Sequence, residues 1–149
     1  MYFVDRNQIS ESLNHMEVLL ELYRNEKEWQ KDIIHSLALE RIANVLIESI
    51  IDVGNSMIDG FIMRDPGSYE DIIDIMEDER VITSEIAGPL KVVIELRKMI
   101  VREFTKVDVG MIIEVLNASM DELLEFPKKV RHYLENELGP VSAFLPEEK

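Results

Sequence analysis

The sequence contains no cysteine. Disulfides, thiol catalysis and cysteine-ligated zinc are excluded, and a reducing compartment fits. Glycine occurs 6 times and proline 5 times in 149 residues, too sparsely for the turn-rich strands of a β-sandwich. No apolar run reaches the length needed to cross a bilayer. The opening Met1-Tyr2-Phe3-Val4-Asp5-Arg6 lacks the charged-then-apolar layout of a secretory signal. The cytoplasm is the expected location, with no membrane partner. Familiar enzyme signatures are missing: no phosphate-binding glycine loop, GxGxxG, GxSxG or HExxH. Basic residues are scarce, with 16 Lys and Arg against 30 Asp and Glu and a formal net charge of −14. A surface of that sign repels nucleic acid and anionic membrane as a whole. It leaves room only for a local basic site.

What is present is helical periodicity. Hydrophobic residues make up 46% and charged residues 31%, a globular profile in which Ile and Leu dominate the apolar set. Asp5 is placed to cap a first helix, along which Ile9, Leu13, Met16, Leu20 and Tyr23 recur at helical spacing. After a polar break at 24–27, a second helix is expected over about residues 28 to 62. It is apolar around most of its girth, as in the centre of a bundle. Arg64-Asp65-Pro66-Gly67-Ser68 reads as a loop. Ser68 and Asp71 resemble a capping box for a short acidic helix to about residue 79. Thr83 or Ser84 opens a fourth helix, expected to about residue 105, with Pro89 as a candidate kink. Asp108 caps a fifth, to about residue 126. Pro127 begins or kinks a last helix, which Gly139-Pro140 stops. No strand, repeat, low-complexity segment or linker is evident. The expected fold is all-α, an up-and-down helical bundle of about five to six helices. Residues 1–140 would form one domain and residues 141–149 a loose tail.

Two features stand out from this background. Arg41, Asn44, Glu48, Asp52, Asn55 and Asp59 share one face of the second helix. They form either its solvated side or the lining of a polar cleft, and a buried lining needs a basic neighbour. The second feature can supply one. Lys91, Arg97, Lys98, Arg102 and Lys106 face only Glu95 and Glu103 between residues 91 and 106. Such a basic island suits a phosphate-bearing ligand, because arginine binds phosphate bidentately. The plainer alternative is that it neutralises acidic neighbours such as residues 70–79. A second island, Lys128-Lys129-Val130-Arg131-His132, reads as favourable charge near a helix C-terminus. His15, His35 and His132 form no metal motif and read as surface or boundary residues. Neither a metal nor a cofactor is expected.

The stretch Leu39-Glu40-Arg41-Ile42, Glu48, Asp52, Gly60, Pro66-Gly67-Ser68-Tyr69, Leu96-Arg97-Lys98-Met99-Ile100-Val101-Arg102-Glu103-Phe104 and Val107-Asp108 resembles the HepT-like branch of the HEPN superfamily. Leu138-Gly139-Pro140-Val141-Ser142-Ala143-Phe144 resembles its YutE-like subgroup. The resemblance implies a HEPN-type helical bundle and a homodimer. It further implies a metal-independent ribonuclease toxin partnered by an MntA-like nucleotidyltransferase antitoxin that adenylylates a tyrosine of the toxin. The family's catalytic pattern is an arginine, a polar residue, a histidine and, two residues later, a tyrosine. Arg97 matches the arginine. Lys98 stands where asparagine is typical, Arg102 at the histidine position and Phe104 at the tyrosine position.

Arginine cannot serve as a general base at neutral pH, and Phe104 has no hydroxyl to modify. The first expectation is therefore a family member with weak or absent RNA cleavage. The second is a binding module in which Arg97, Lys98, Arg102 and Lys106 hold RNA or a nucleotide by its phosphate. A third is a contact partner for the nucleotidyltransferase. The plainest is a bundle whose basic island is incidental.

Overall fold

In a computed structural model of the chain, residues 4–139 are described. They form six α-helices and one π-helical turn. The helices are α1 (Arg6–Asn25), α2 (Ile33–Gly60), α3 (Tyr69–Asp78), α4 (Ser84–Arg97), α5 (Val109–Ala118) and α6 (Met120–Leu138). The π turn, Lys98–Arg102, continues α4 directly. Helix α2 packs against α1, α3, α4 and α5, and α6 closes the bundle against α1 and α4. The buried apolar residues form one cluster, with Leu46, Ile47 and Ile50 of α2 at zero exposure. No described helix is long and apolar enough to cross a membrane. The expected tail, residues 141–149, and Pro140 lie outside the described residues.

The caps explain most of the boundaries. Asp5 accepts the Gln8 amide at 3.0 Å, Ser68 the Asp71 amide at 3.0 Å and Asp108 the Met111 amide at 3.1 Å. These are the first-turn donors that a helix leaves unpaired. The Asp71 carboxylate does not complete a capping box with Ser68. It accepts the amide of Gly67 at 2.8 Å instead. At the far end, Gly139 takes a φ of 82° and its N–H reaches the Glu135 carbonyl at 2.7 Å. A φ of that sign is what glycine tolerates at a helix stop.

Three boundaries differ from the sequence expectation. Helix α2 starts at Ile33 rather than near residue 28, capped by Asp32, which accepts the His35 amide at 2.8 Å. The preceding turn is held back by Trp29, whose ring stacks on Tyr23 with centroids 5.9 Å apart and whose Nε1 donates to the Tyr23 carbonyl. The α-helical part of the fourth helix ends at Arg97 because the backbone widens into the π turn. Helix α5 ends at Ala118, not near residue 126. Ser119, buried and with φ −107° and ψ 9°, breaks the chain there, and α6 then runs through Pro127 without a boundary. Tertiary burial of Pro127 and Phe126 outweighs the single hydrogen bond that proline removes. The island at 128–132 is accordingly in mid-helix, not at a C-terminus. Arg131 there binds Glu17 of α1 bidentately, at 2.8 and 3.0 Å, and so fastens α6 to α1.

Helices α2 and α3 approach closely at Gly54. A Cβ on that residue would lie 2.3 Å from Cγ2 of Ile72 and 3.1 Å from Cε of Met76. Ile72 is buried and branched at Cβ, so it has little rotamer freedom with which to yield. Gly54→Ala is expected to lower unfolding stability by about 1–3 kcal/mol through overpacking. Asn55→Ala, at the exposed neighbour, is expected to stay within about 0.5 kcal/mol. Urea denaturation of the two variants checks this.

Candidate functional site

The candidate site is built where three helices converge. Glu48 comes from the middle of α2, Arg97 from the last residue of α4, and Tyr69 from the first residue of α3. Arg97 Nε donates to Glu48 Oε2 at 2.9 Å. The guanidinium carbon lies 4.6 Å from the centroid of the Tyr69 ring, within the range of a cation–π contact. The hydrogen bond to Glu48 holds the Arg97 guanidinium above its ordinary pKa, so it stays charged at any physiological pH. Among the described residues, Nη1 and Nη2 of Arg97 have no hydrogen-bond acceptor. A partly exposed pair of this kind contributes on the order of 1 kcal/mol or less. Its consequence is geometric: Nε is committed to Glu48, while Nη1 and Nη2 keep their donors unassigned among the described residues.

The π turn follows at once. The Glu103 amide donates to the carbonyls of Lys98 and Met99, both at 3.2 Å. The i→i+5 bond to Lys98 widens the turn beyond α-helical geometry immediately after Arg97. Residues 101–106 are all exposed, Phe104 at 69%. Among the described residues, Lys98, Arg102 and Lys106 have no ion-pair partner.

The basic island is thus divided. Lys91 pairs with Asp74 of α3 and is held above its ordinary pKa by that contact, so its role is the neutralising one. Arg97 is anchored, and Lys98, Arg102 and Lys106 stand open to solvent. The polar stripe of α2 divides as well. Arg41, Asp52, Asn55 and Asp59 are exposed, and Glu48 alone of the stripe reaches a basic partner. Asn44 is intermediate, its Oδ1 buried with no hydrogen-bond donor among the described residues. Arg41 and Asp52 are not brought into hydrogen bonds with Arg97.

Tyr69 was not singled out by sequence reasoning as a site residue. Its position as the first residue of a capped helix was legible, but its meeting with Arg97 depends on how α3 packs on α4. The loop before it is set by Arg64, whose Nη1 and Nη2 donate to Asp71 Oδ2 and Oδ1 at 2.9 and 3.0 Å. Of the histidines, His35 bonds Asp32 at 2.8 Å, His132 bonds Asn136 at 3.0 Å, and His15 is exposed. None of the three is within the Arg97 cluster.

A family model described as ribonuclease HepT-like matches residues 9–130. The YutE protein of Bacillus subtilis (strain 168), a candidate RNase by its name, is 50% identical over 144 residues. That match covers 97% of this chain and 99% of the relative. The solved structure of Bacillus subtilis YutE, described as a cytosolic protein of unknown function, superposes with a TM-score of 0.93. It covers 97% of this chain and 100% of that one. The tri-AMPylated HEPN toxin of Shewanella oneidensis, solved with its MNT antitoxin, superposes with a TM-score of 0.71. The identity there is 16%, over 89% of this chain and 99% of that one, a likeness of fold.

The loop that carries Tyr69 has a pH dependence whose sign is fixed. Hydrogen bonds from Arg64, and then from the Gly67 amide, hold the Asp71 carboxyl below its ordinary value of 3.8. A carboxyl depressed by folding stabilises the native loop fully above its unfolded value and loses that contribution as pH falls through the lower folded one. The side-chain carboxyl ¹³C resonance of Asp71 is expected to titrate with a midpoint below 3.8. Arg64→Ala is expected to move that midpoint upward. A midpoint unchanged by the substitution would contradict the assignment of Arg64 as the main cause.

Proposed function

Because the chain belongs to the ribonuclease HepT-like family, we propose that it is a HepT-like protein that holds RNA by its phosphates, with cleavage weak or lost. The observation that carries this reading is Arg97, anchored through Nε with no acceptor on its Nη groups among the described residues, followed by the exposed Lys98, Arg102 and Lys106. Arginine's planar fork matches a phosphate bidentately, and the three further cations add attraction without needing fixed geometry. Position 102 is where the family pattern calls for a histidine to handle the proton of the RNA 2′-hydroxyl. Arg102 keeps its own proton at neutral pH and supplies charge instead. Loss of a general base removes about 10²–10⁴ in rate. What remains is positioning and electrostatic stabilisation by Arg97.

The partner proposed for the chain is a nucleotidyltransferase antitoxin of the MntA kind, met through helical faces. Its fold neighbour from Shewanella is an AMPylated toxin bound to an MNT antitoxin. Phe104 offers no hydroxyl to an adenylyl group, so control here would act by contact rather than by modification at that position. The proposed assembly is a homodimer in the cytoplasm. Ile33, Ile34 and Leu37 at the start of α2 are 70%, 72% and 54% exposed. Ile34 and Leu37 share a helical face with Arg41 and Glu48. A second copy covering that face would bring two basic turns together, with Glu48 and Asp52 to offset their repulsion. Sedimentation as a clean monomer at micromolar concentration would remove the dimer.

The RNA-binding reading is tested by Arg97→Ala combined with Arg102→Ala. The double variant is expected to bind a labelled RNA more weakly. The slope of log affinity against log salt should become shallower by about one to two units, as two phosphate contacts are lost. Affinity and slope equal to those of the unaltered protein would eliminate the basic turn as the binding site.

A further inference from the structure

Tyr69 lies outside the arginine, polar, histidine and tyrosine pattern, yet its ring is the surface on which Arg97 rests. We propose that Tyr69 is a positioning residue for Arg97: its ring face fixes the plane of the guanidinium and thereby the direction in which the Nη edge is offered. The inference rests on the phosphate-binding reading of Arg97 and adds to it what makes that arginine a preformed site.

A single hydrogen bond cannot orient a planar group. The bond from Arg97 Nε to Glu48 Oε2 fixes one edge but leaves the guanidinium free to turn about that bond. The Tyr69 ring, with the guanidinium carbon 4.6 Å from its centroid, restricts that turning, since the cation is drawn to the ring's negative face. The two contacts come from different helices, α2 and α3. The arrangement therefore reads out tertiary packing rather than a local side-chain preference. Orienting the fork in advance spares the ordering cost that a phosphate would otherwise meet on binding.

The ring is itself held in place. Ser68 caps α3 by accepting the Asp71 amide, and Arg64 and the Gly67 amide both bind the Asp71 carboxylate, so the backbone around Tyr69 is tied from both sides. Tyr69 remains 42% exposed. It sits at the beginning of a helix and not in the core, so replacing it does not empty a buried site.

The experiment uses the full chain with Tyr69→Phe and Tyr69→Leu. The first keeps an aromatic face without the hydroxyl, and the second keeps apolar bulk without the ring. The ¹H resonance of Arg97 Nε–H is expected to be displaced by the ring current in the unaltered protein and in Tyr69→Phe, and to lose that displacement in Tyr69→Leu. Affinity for a short fluorescein-labelled oligouridylate is expected to fall about two- to five-fold in Tyr69→Leu, the size of an exposed cation–π contact. It should be retained in Tyr69→Phe. In an Arg97→Ala background the Leu substitution should have no further effect. Equal losses in the Phe and Leu variants would overturn the inference, because the hydroxyl would then touch the ligand. A Leu effect that persists without Arg97 would also overturn it. Failure of the unaltered protein to bind the oligonucleotide would remove the phosphate-binding reading, while the Arg97 resonance would still decide whether Tyr69 orients it.

Discussion

The contact between Arg97 and Glu48 ties the end of α4 to the middle of the central helix, and the geometry of the basic turn is set from it. Were Arg97 a free surface arginine, its direction would be averaged over many rotamers. Nε is instead bound to Glu48 and the guanidinium carbon lies over the Tyr69 ring, so two helices restrict it. The π turn then begins at the next residue, so the open cations at 98, 102 and 106 are carried on backbone that starts from a fixed point. The pair contributes little to stability by itself. The core of α2, with Leu46, Ile47 and Ile50 fully buried, supplies the rigidity on which it depends.

Charge distribution makes this position distinctive. With a formal charge of −14 the molecule as a whole opposes polyanions, and a local site must overcome that field. The ion pairs of α3 reach only the first cation of the island. Asp74 takes Lys91, and Asp71 with Asp78 takes Arg64. The island's cations without an ion-pair partner among the described residues are Lys98 and Arg102 of the π turn and Lys106 after it. On the reading proposed above, Arg102 at the histidine position of the family pattern would work in the same direction, adding permanent charge in place of a titratable one.

Much of the fold was legible in the sequence. The apolar spacing of α1 and the caps at Asp5, Ser68 and Asp108 placed three helix starts correctly, because a cap is a local hydrogen bond between residues three apart. Boundaries set by tertiary contacts were not legible. The start of α2 depends on Trp29 folding back onto Tyr23, and the break between α5 and α6 falls at a buried serine rather than at the more conspicuous Pro127. The π turn is too short for its period to register in a sequence. Of the site, Arg97 and its open neighbours were marked by charge and by the family pattern. The partner role of Glu48 was suggested by its helical face, but Arg41, Asp52, Asn55 and Asp59 of that stripe are solvated. Tyr69 could not be found, since it meets Arg97 only across the packing of α3 and α4.

On the reading proposed above, Arg97 and the open cations still bind phosphate and the proton-handling group alone is missing. Cleavage of labelled RNA in the presence of chelator, by the unaltered protein and by Arg102→His combined with Phe104→Tyr, tests it most directly. Cleavage by the double variant is expected, with little or none by the unaltered protein. Equal and rapid cleavage by both, abolished in each by Arg97→Ala, would contradict it, because catalysis would then proceed without the residue held to be absent.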